Sequence, residues 1–200
     1  MPNESLKKLY VDELKGLFSA ETQLLEALPK MAKAASSEEL RTGFEEHLEQ
    51  TKGHVQRLEE VFESLDESPK GKKCVGMEGL VKESSEVMEG FEDAVLDAGL
   101  IGAARRVEHY EMAAYGAVCE IAKVLGQTKH ASLLEKTLVE ERQTDEKLAE
   151  LAKDINTQAN EEGSEELEQG VDGQSGKTIA KNHKPVFGFV KNEGAAITHN

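Results

Sequence analysis

Two glutamates one turn apart, Glu108 and Glu111, fall in the middle of an apolar helical face rather than at its margin. They belong to AARRVEHYEMAAYGAV, residues 103–118, whose apolar face as a helix continues through Ala104, Val107, Tyr115, Val118, Ala122 and Leu125. At about 100° per residue, position 108 projects close to 104 and 115, and position 111 between 107 and 118. A carboxylate in an apolar interior costs several kcal/mol unless it is paired, neutralised by a shifted pKa, or bound to a cation. Hard oxygen donors converging in such a place are the chemistry of a divalent metal site.

The other long apolar stripes are breached in the same way. Tyr10, Leu14, Leu17, Leu24, Leu25 and Leu28 form one stripe with Glu21 inside it. Phe44, Leu48, Val55, Leu58 and Phe62 form a second, with Thr51 at its centre and His47 and His54 on one flank. A third, Leu134, Leu138, Leu148, Ala152 and Ile155, holds Glu141 and Asp145 at its centre. Measured from the turns between helices, Glu21 is level with residues 51–54 and Glu111 with Asp145. Five carboxylates and one or two imidazoles, from His47, His54 or both, therefore converge in one core. Oxygen donors with imidazole suit iron or manganese, and two ions bridged by carboxylates would neutralise most of the charge. The alternative is a salt-bridged core in which the carboxylates pair with Arg105, Arg106 or Arg142. His109 points outward, His130 lies at a helix turn, and Cys119 reads as a small buried hydrophobe. Tyr115, inward and one turn from Glu111, either donates a hydrogen bond to a ligand carboxylate or packs as core.

These residues require four long helices. The apolar period predicts a first helix over about 6–33, thinned or kinked late by Pro29. Ser36 and Ser37, followed by Glu38 and Glu39, read as an N-cap with an acidic first turn. The second helix then runs to about Leu65, and the short break makes the pair an antiparallel hairpin. DESPKGKKCVGMEG, residues 66–79, reads as a loop. A short amphipathic piece over about 80–91 precedes a third long helix over about 93–125, with Gly126 as C-cap, and a fourth over about 131–156. The sequence thus divides into a helical bundle, 1–156, and a tail, 157–200, that is acidic and then Gly- and Lys-containing. The tail lacks helical period and reads as disordered, with a short apolar patch at Pro185–Val190.

The chain has 200 residues, a net charge of −15, no Trp and only four Pro. That composition argues for an all-α protein. Such acidity disfavours nucleic acid and anionic membrane surfaces as partners. No apolar run reaches the length of a membrane span, and the N-terminus lacks a signal-peptide core. Cys74 and Cys119 fit neither a disulfide framework nor a CxxC metal pattern, so a cytoplasmic setting is expected.

Glu21 within SAETQLLEALPKM, the segments EEHLEQTKGHVQRLEEV and KKCVGMEGL, VEHYEMAAYG, and TLVEERQTDEKL together resemble the YciE/YciF family of ferritin-like proteins over residues 5–155. The resemblance implies a ferritin-like four-helix bundle with a long crossover bearing a short extra helix, and a dimeric, cytoplasmic protein associated with stress responses. Ferritin-like carboxylate sites draw a Glu from two helices and Glu-x-x-His from the other two. Here the second helix offers Thr51-x-x-His54, the third Glu108-x-x-Glu111, and the fourth Glu141 with Asp145 and no histidine. The functional expectation is a dinuclear metal protein that reacts with oxygen or peroxide, Glu21 and Glu141 acting as terminal or bridging ligands. The competing expectation is a non-enzymatic homodimer of structural or interaction type, whose polar core sets helix register.

Overall fold

The computed structural model describes residues 2–169, with side chains described for 4–161. Five helices follow in order: α1 (Pro2–Ala34), α2 (Glu38–Leu65), α3 (Val75–Gly90), α4 (Asp93–Val124) and α5 (Thr128–Gln169). The long helices α1, α2, α4 and α5 form the ferritin-like bundle, and α3 lies in the crossover, packed on α1 and α4. Among the described residues, no helix is long and apolar enough to cross a membrane.

Local chemistry sets the helix ends. Ser37 caps α2, its side chain accepting from the Leu40 N–H, while Asp97, buried on α4, accepts from the backbone N–H groups of Ser36 and Ser37 at 2.9 and 2.7 Å. The α1–α2 turn is therefore held by a carboxylate from the far hairpin. Gly126 closes α4 at φ +72°, a left-handed conformation that suits glycine at the position after the cap. Pro29 does not end α1; it sits on the exposed face, and the helix continues to Ala34.

Two boundaries differ from the sequence reading. The crossover helix starts at Val75 because Cys74 acts as its N-cap, the sulfur accepting from the Met77 N–H. α5 runs past Asn156 to Gln169, so 157–169 is helical. Glu, Gln, Ala and Leu in that stretch are strong helix formers, and they outweigh the single Gly163. The apolar patch at 185–190 lies outside the described residues.

Side-chain neighbours give the helix directions. His47 lies against Glu108 and His54 against Tyr115, so numbering rises the same way along α2 and α4. Parallel neighbours need a connection that travels the length of the bundle, which is what 66–92 provides. α5 runs opposite to α2: Glu140 meets His54 and Lys147 meets Glu46.

The core is split. One apolar cluster gathers Leu24, Leu28 and Met31 with Phe44, Leu100, Val107 and Leu148. The other gathers Tyr10, Leu14 and Leu17 with Leu58, Phe62, Val118 and Leu134. Between them, at mid-height on all four long helices, lies a layer of buried polar groups.

Candidate metal centre

Four helices supply that layer. Glu21 comes from α1, His47 and His54 from α2, Glu108 and Glu111 from α4, and Glu141 from α5; each is at most 3% exposed. The two histidines are seven residues apart, two turns along one face. Their rings stand 6.5 Å apart, at different heights in the layer.

The donors fall into two sets. His47, Glu108, Glu111 and Glu141 form one, Glu21, His54 and Glu141 the other; within each, one ligand atom per residue lies within 4.8 Å of the rest. Opposite ligands about 2.1 Å from a shared ion stand about 4 Å apart, so each set is close to the size of a coordination shell. Glu141 belongs to both. Its Oε1 is 3.0 Å from His54 Nδ1 and its Oε2 is 3.4 Å from His47 Nε2, so its two oxygens face the two sets.

The hydrogen-bond inventory makes the same point. Nine buried side-chain nitrogen and oxygen atoms lack a hydrogen-bond partner among the described residues, and all nine belong to these six side chains. The close His–Glu approaches, 3.0–3.4 Å, are ion-pair contacts. Buried polar groups are nearly always paired, so unpaired atoms gathered at one place, all of ligand type, fit a divalent cation. Two divalent cations would match four carboxylates and two neutral imidazoles in charge.

Electrostatics follow from burial. Glu108 is pushed well above the usual carboxylate range, by burial first and then by the charge of Glu141. Glu111 is raised in the same way, by burial and then by Glu21 and Glu141. Burial also raises Glu21, although His54 opposes it. At Glu141 burial acts upward, but His47 and His54 together outweigh it and hold the group down to about 2. Burial lowers His54, yet Glu141 and Glu21 beside its ring overcome this and hold the imidazolium up to about 10. Burial thus pulls Glu21, Glu108 and Glu111 toward their neutral forms, while the His54–Glu141 contact pulls the other way.

Supporting groups surround the donors. His54 Nε2 lies 3.1 Å from Glu140 Oε2, and Glu140 is held by Arg57, whose other nitrogen donates to Thr137 Oγ1 at 2.9 Å. This carboxylate fixes the ring so that Nδ1 faces Glu21 and Glu141, the arrangement that orients metal-binding histidines generally. Tyr115 donates to Glu21 Oε1 at 2.5 Å and is also fully buried in the apolar cluster beside it, so both of its sequence readings hold.

The structure brings together six of the seven residues expected to bind metal. Both histidines are included, one in each donor set. Asp145 is the exception: Arg105 takes it at 2.8 Å and His109 at 3.3 Å, on the flank where α4 and α5 meet. The salt-bridge alternative therefore holds for Asp145 alone. Arg106 pairs with Glu83, and Arg142 is exposed. His109 is mainly exposed, as expected. His130 is buried, its ring between Ser64 and Tyr10. Thr51, at the centre of α2's stripe, turns its hydroxyl back to the His47 carbonyl. Sequence reasoning missed Glu140 and Arg57, because both lie off the apolar stripes and look like ordinary surface charges.

The redistribution of donors has a pattern. α5 contributes no histidine to the donor sets, and His47 supplies an imidazole from α2; α2 has Thr51 where a glutamate is usual, and α4 contributes two glutamates instead of one. The total, four glutamates and two histidines, equals that of the general ferritin-like carboxylate site.

Known proteins place the chain in a family. Residues 5–161 match a family described as a domain of unknown function, DUF892. Protein YciF of Escherichia coli strain K12 is 46% identical over 154 residues, covering 76% of this chain and 93% of the relative. The crystal structure of the E. coli stress protein YciF superposes with a TM-score of 0.74 at 44% identity, covering 76% of this chain and 97% of that one. YcfI of Rhodopseudomonas palustris, described as a candidate structural protein, superposes at 0.70 with 36% identity over 72% of this chain and 92% of that one. A Xanthomonas campestris protein at 22% identity shares the fold, with a TM-score of 0.66. Matched over residues 5–161, the chain belongs to the DUF892 family and is 46% identical to YciF over the 154 residues they share.

Proposed function

We propose that this stress-protein bundle is a dinuclear metal-binding protein whose centre, holding iron or manganese, reacts with oxygen or peroxide. The observation that carries the reading is the confinement of all unpaired buried polar atoms among the described residues to six side chains of ligand type. His47, Glu108 and Glu111 would hold one ion, Glu21 and His54 the second, and Glu141 would bridge them. Bound iron or manganese supplies the redox change toward a small oxidant that the side chains alone cannot provide.

The remaining work belongs to the chain. Glu140 fixes the His54 ring and leaves Nδ1 as the donor atom; in the metal-free state that atom carries the proton a cation would displace. Tyr115 keeps Glu21 in one rotamer and holds a proton beside its carboxylate. The apolar clusters above and below exclude bulk water and limit access to small molecules.

Purified protein supplied with iron or manganese should hold about two ions per chain by elemental analysis, and chelation should lower its melting temperature. The second reading is a non-enzymatic homodimer whose polar layer sets helix register, favoured by the description of the R. palustris relative. It predicts no bound metal and a melting temperature indifferent to chelator. That result would refute the metal-centre reading.

A further inference from the structure

Between the first half of α2 and the middle of α5 the helices part to leave a groove of about 800 Å³. One donor of the centre, His47, lines it, together with Phe44, Gln50, Thr144 and Leu148. His47 is 3% exposed and its Nε2 has no hydrogen-bond partner. Five carboxylates stand around the groove, Glu38, Glu39, Glu46, Glu150 and Asp154, against one lysine, Lys147. That lysine already pairs with Glu46 at 3.1 Å. A second groove, over α3 and α4, differs in both respects: it touches none of the six donors and is lined by the guanidiniums of Arg105 and Arg106.

We propose that the α2–α5 groove is the route by which hydrated divalent cations reach and leave the buried centre, with the Gln50–Thr144 contact as its inner gate. This rests on the metal-centre reading above. An acidic rim around a low-dielectric cleft concentrates cations and gives a neutral oxidant no advantage. Across the groove Thr144 Oγ1 is 3.3 Å from Gln50 Oε1, and it is 3.1 Å from the Glu140 carbonyl. One hydroxyl proton serves both acceptors, so the contact across the groove is a single weak hydrogen bond that opens readily. Once apart, the amide and hydroxyl oxygens present hard donors to a cation shedding water, and His47 is the next donor inward. Gln50 and Thr144 belong to neither donor set, so they affect passage and not the bound state.

The test measures anaerobic iron(II) uptake and release by the full chain, with a chromogenic iron(II) chelator as the readout. Gly43 lines the groove, and a Cβ there meets nothing within 4 Å, so Gly43→Trp should fill the groove without disturbing the core. Uptake and release should both slow about tenfold or more, with the final iron content unchanged. Gln50→Ala should speed both by the same factor and leave Kd unchanged. In Glu39→Gln/Glu46→Gln/Asp154→Asn, uptake at low salt should fall about tenfold, and added salt should bring the wild type down to the same rate. If Gly43→Trp fails to fold by circular dichroism, the rim variant decides. Wild-type uptake rates in a folded Gly43→Trp protein, in the rim variant if it decides, or a changed Kd without changed rates in Gln50→Ala, would overturn the route and leave the metal centre standing. A wild-type protein that binds no iron would remove both.

Discussion

Replacing a ligand of the centre should stabilise the metal-free protein. Glu111 is fully buried and neither of its carboxyl oxygens has a hydrogen-bond partner, so the chelated fold carries an unsatisfied polar group, worth about 1–3 kcal/mol of destabilisation. Glu111→Met keeps the length and helix preference of the side chain and replaces those oxygens with apolar volume. The expected gain is about 2 kcal/mol in chelator, or about 4–8 °C in melting temperature for a chain of this size. With metal the order reverses. A ligand at a hundred times its Kd adds about 2.7 kcal/mol to the wild type, and Glu111→Met forfeits most of it. Calorimetry of both proteins, with chelator and with manganese, should therefore give melting curves that exchange places. A Glu111→Met protein more than about 1 kcal/mol less stable in chelator would show that the carboxyl is paired in the fold, and would refute the reasoning.

The chelated wild type should lose stability as pH rises from about 5 to 8. Glu108 and Glu111, raised well above the ordinary carboxylate pKa of 4.5, and Glu21, shifted in the same direction, bind protons more tightly in the fold than in the unfolded chain, so unfolding becomes easier as pH rises above 4.5. The His54 contribution is fully present below 6.5 and is lost as pH climbs through about 10. Glu141 acts oppositely, its contribution present above 4.5 and lost as pH falls toward about 2. Urea titrations with saturating manganese should be flatter across pH 5–8, and an equally flat apo profile would contradict the charge assignment. Glu140→Gln removes no ligand but weakens the hold on the His54 ring, so metal affinity measured by competition should fall about 10–100-fold with stoichiometry intact. Asp145→Asn should leave metal content unchanged and cost under about 1 kcal/mol, because its Arg105 partner is partly exposed; loss of an ion would return Asp145 to the centre.

Much of the centre was legible because a breach in an apolar stripe is visible in one dimension. Glu21, Glu108, Glu111 and Glu141 were each read from their own helix. Asp145 sits on the same kind of stripe, yet its fate depends on Arg105 of α4, and a single helix's periodicity carries no record of the neighbour's flank. Glu140 was invisible for the converse reason: it lies off the stripe, and only the packing of α5 on α2 brings it to His54. The helix pairing was read from short turns and caps such as Ser37 and Gly126. The start of α3 was not, because cysteine is an unusual cap, and the extension of α5 was masked by acidic, glycine-containing composition.

The division of the core into two oily halves bears on how the molecule comes apart. Helices ordinarily fray at their tips while their middles hold longest. Here the central turns of α1, α2, α4 and α5 meet through a buried polar layer instead of apolar contacts, and on the proposed reading shared ions would tie them together. A chain starved of metal would breathe from its waist, so metal supply would govern the opening of the middle while the two ends stay knit.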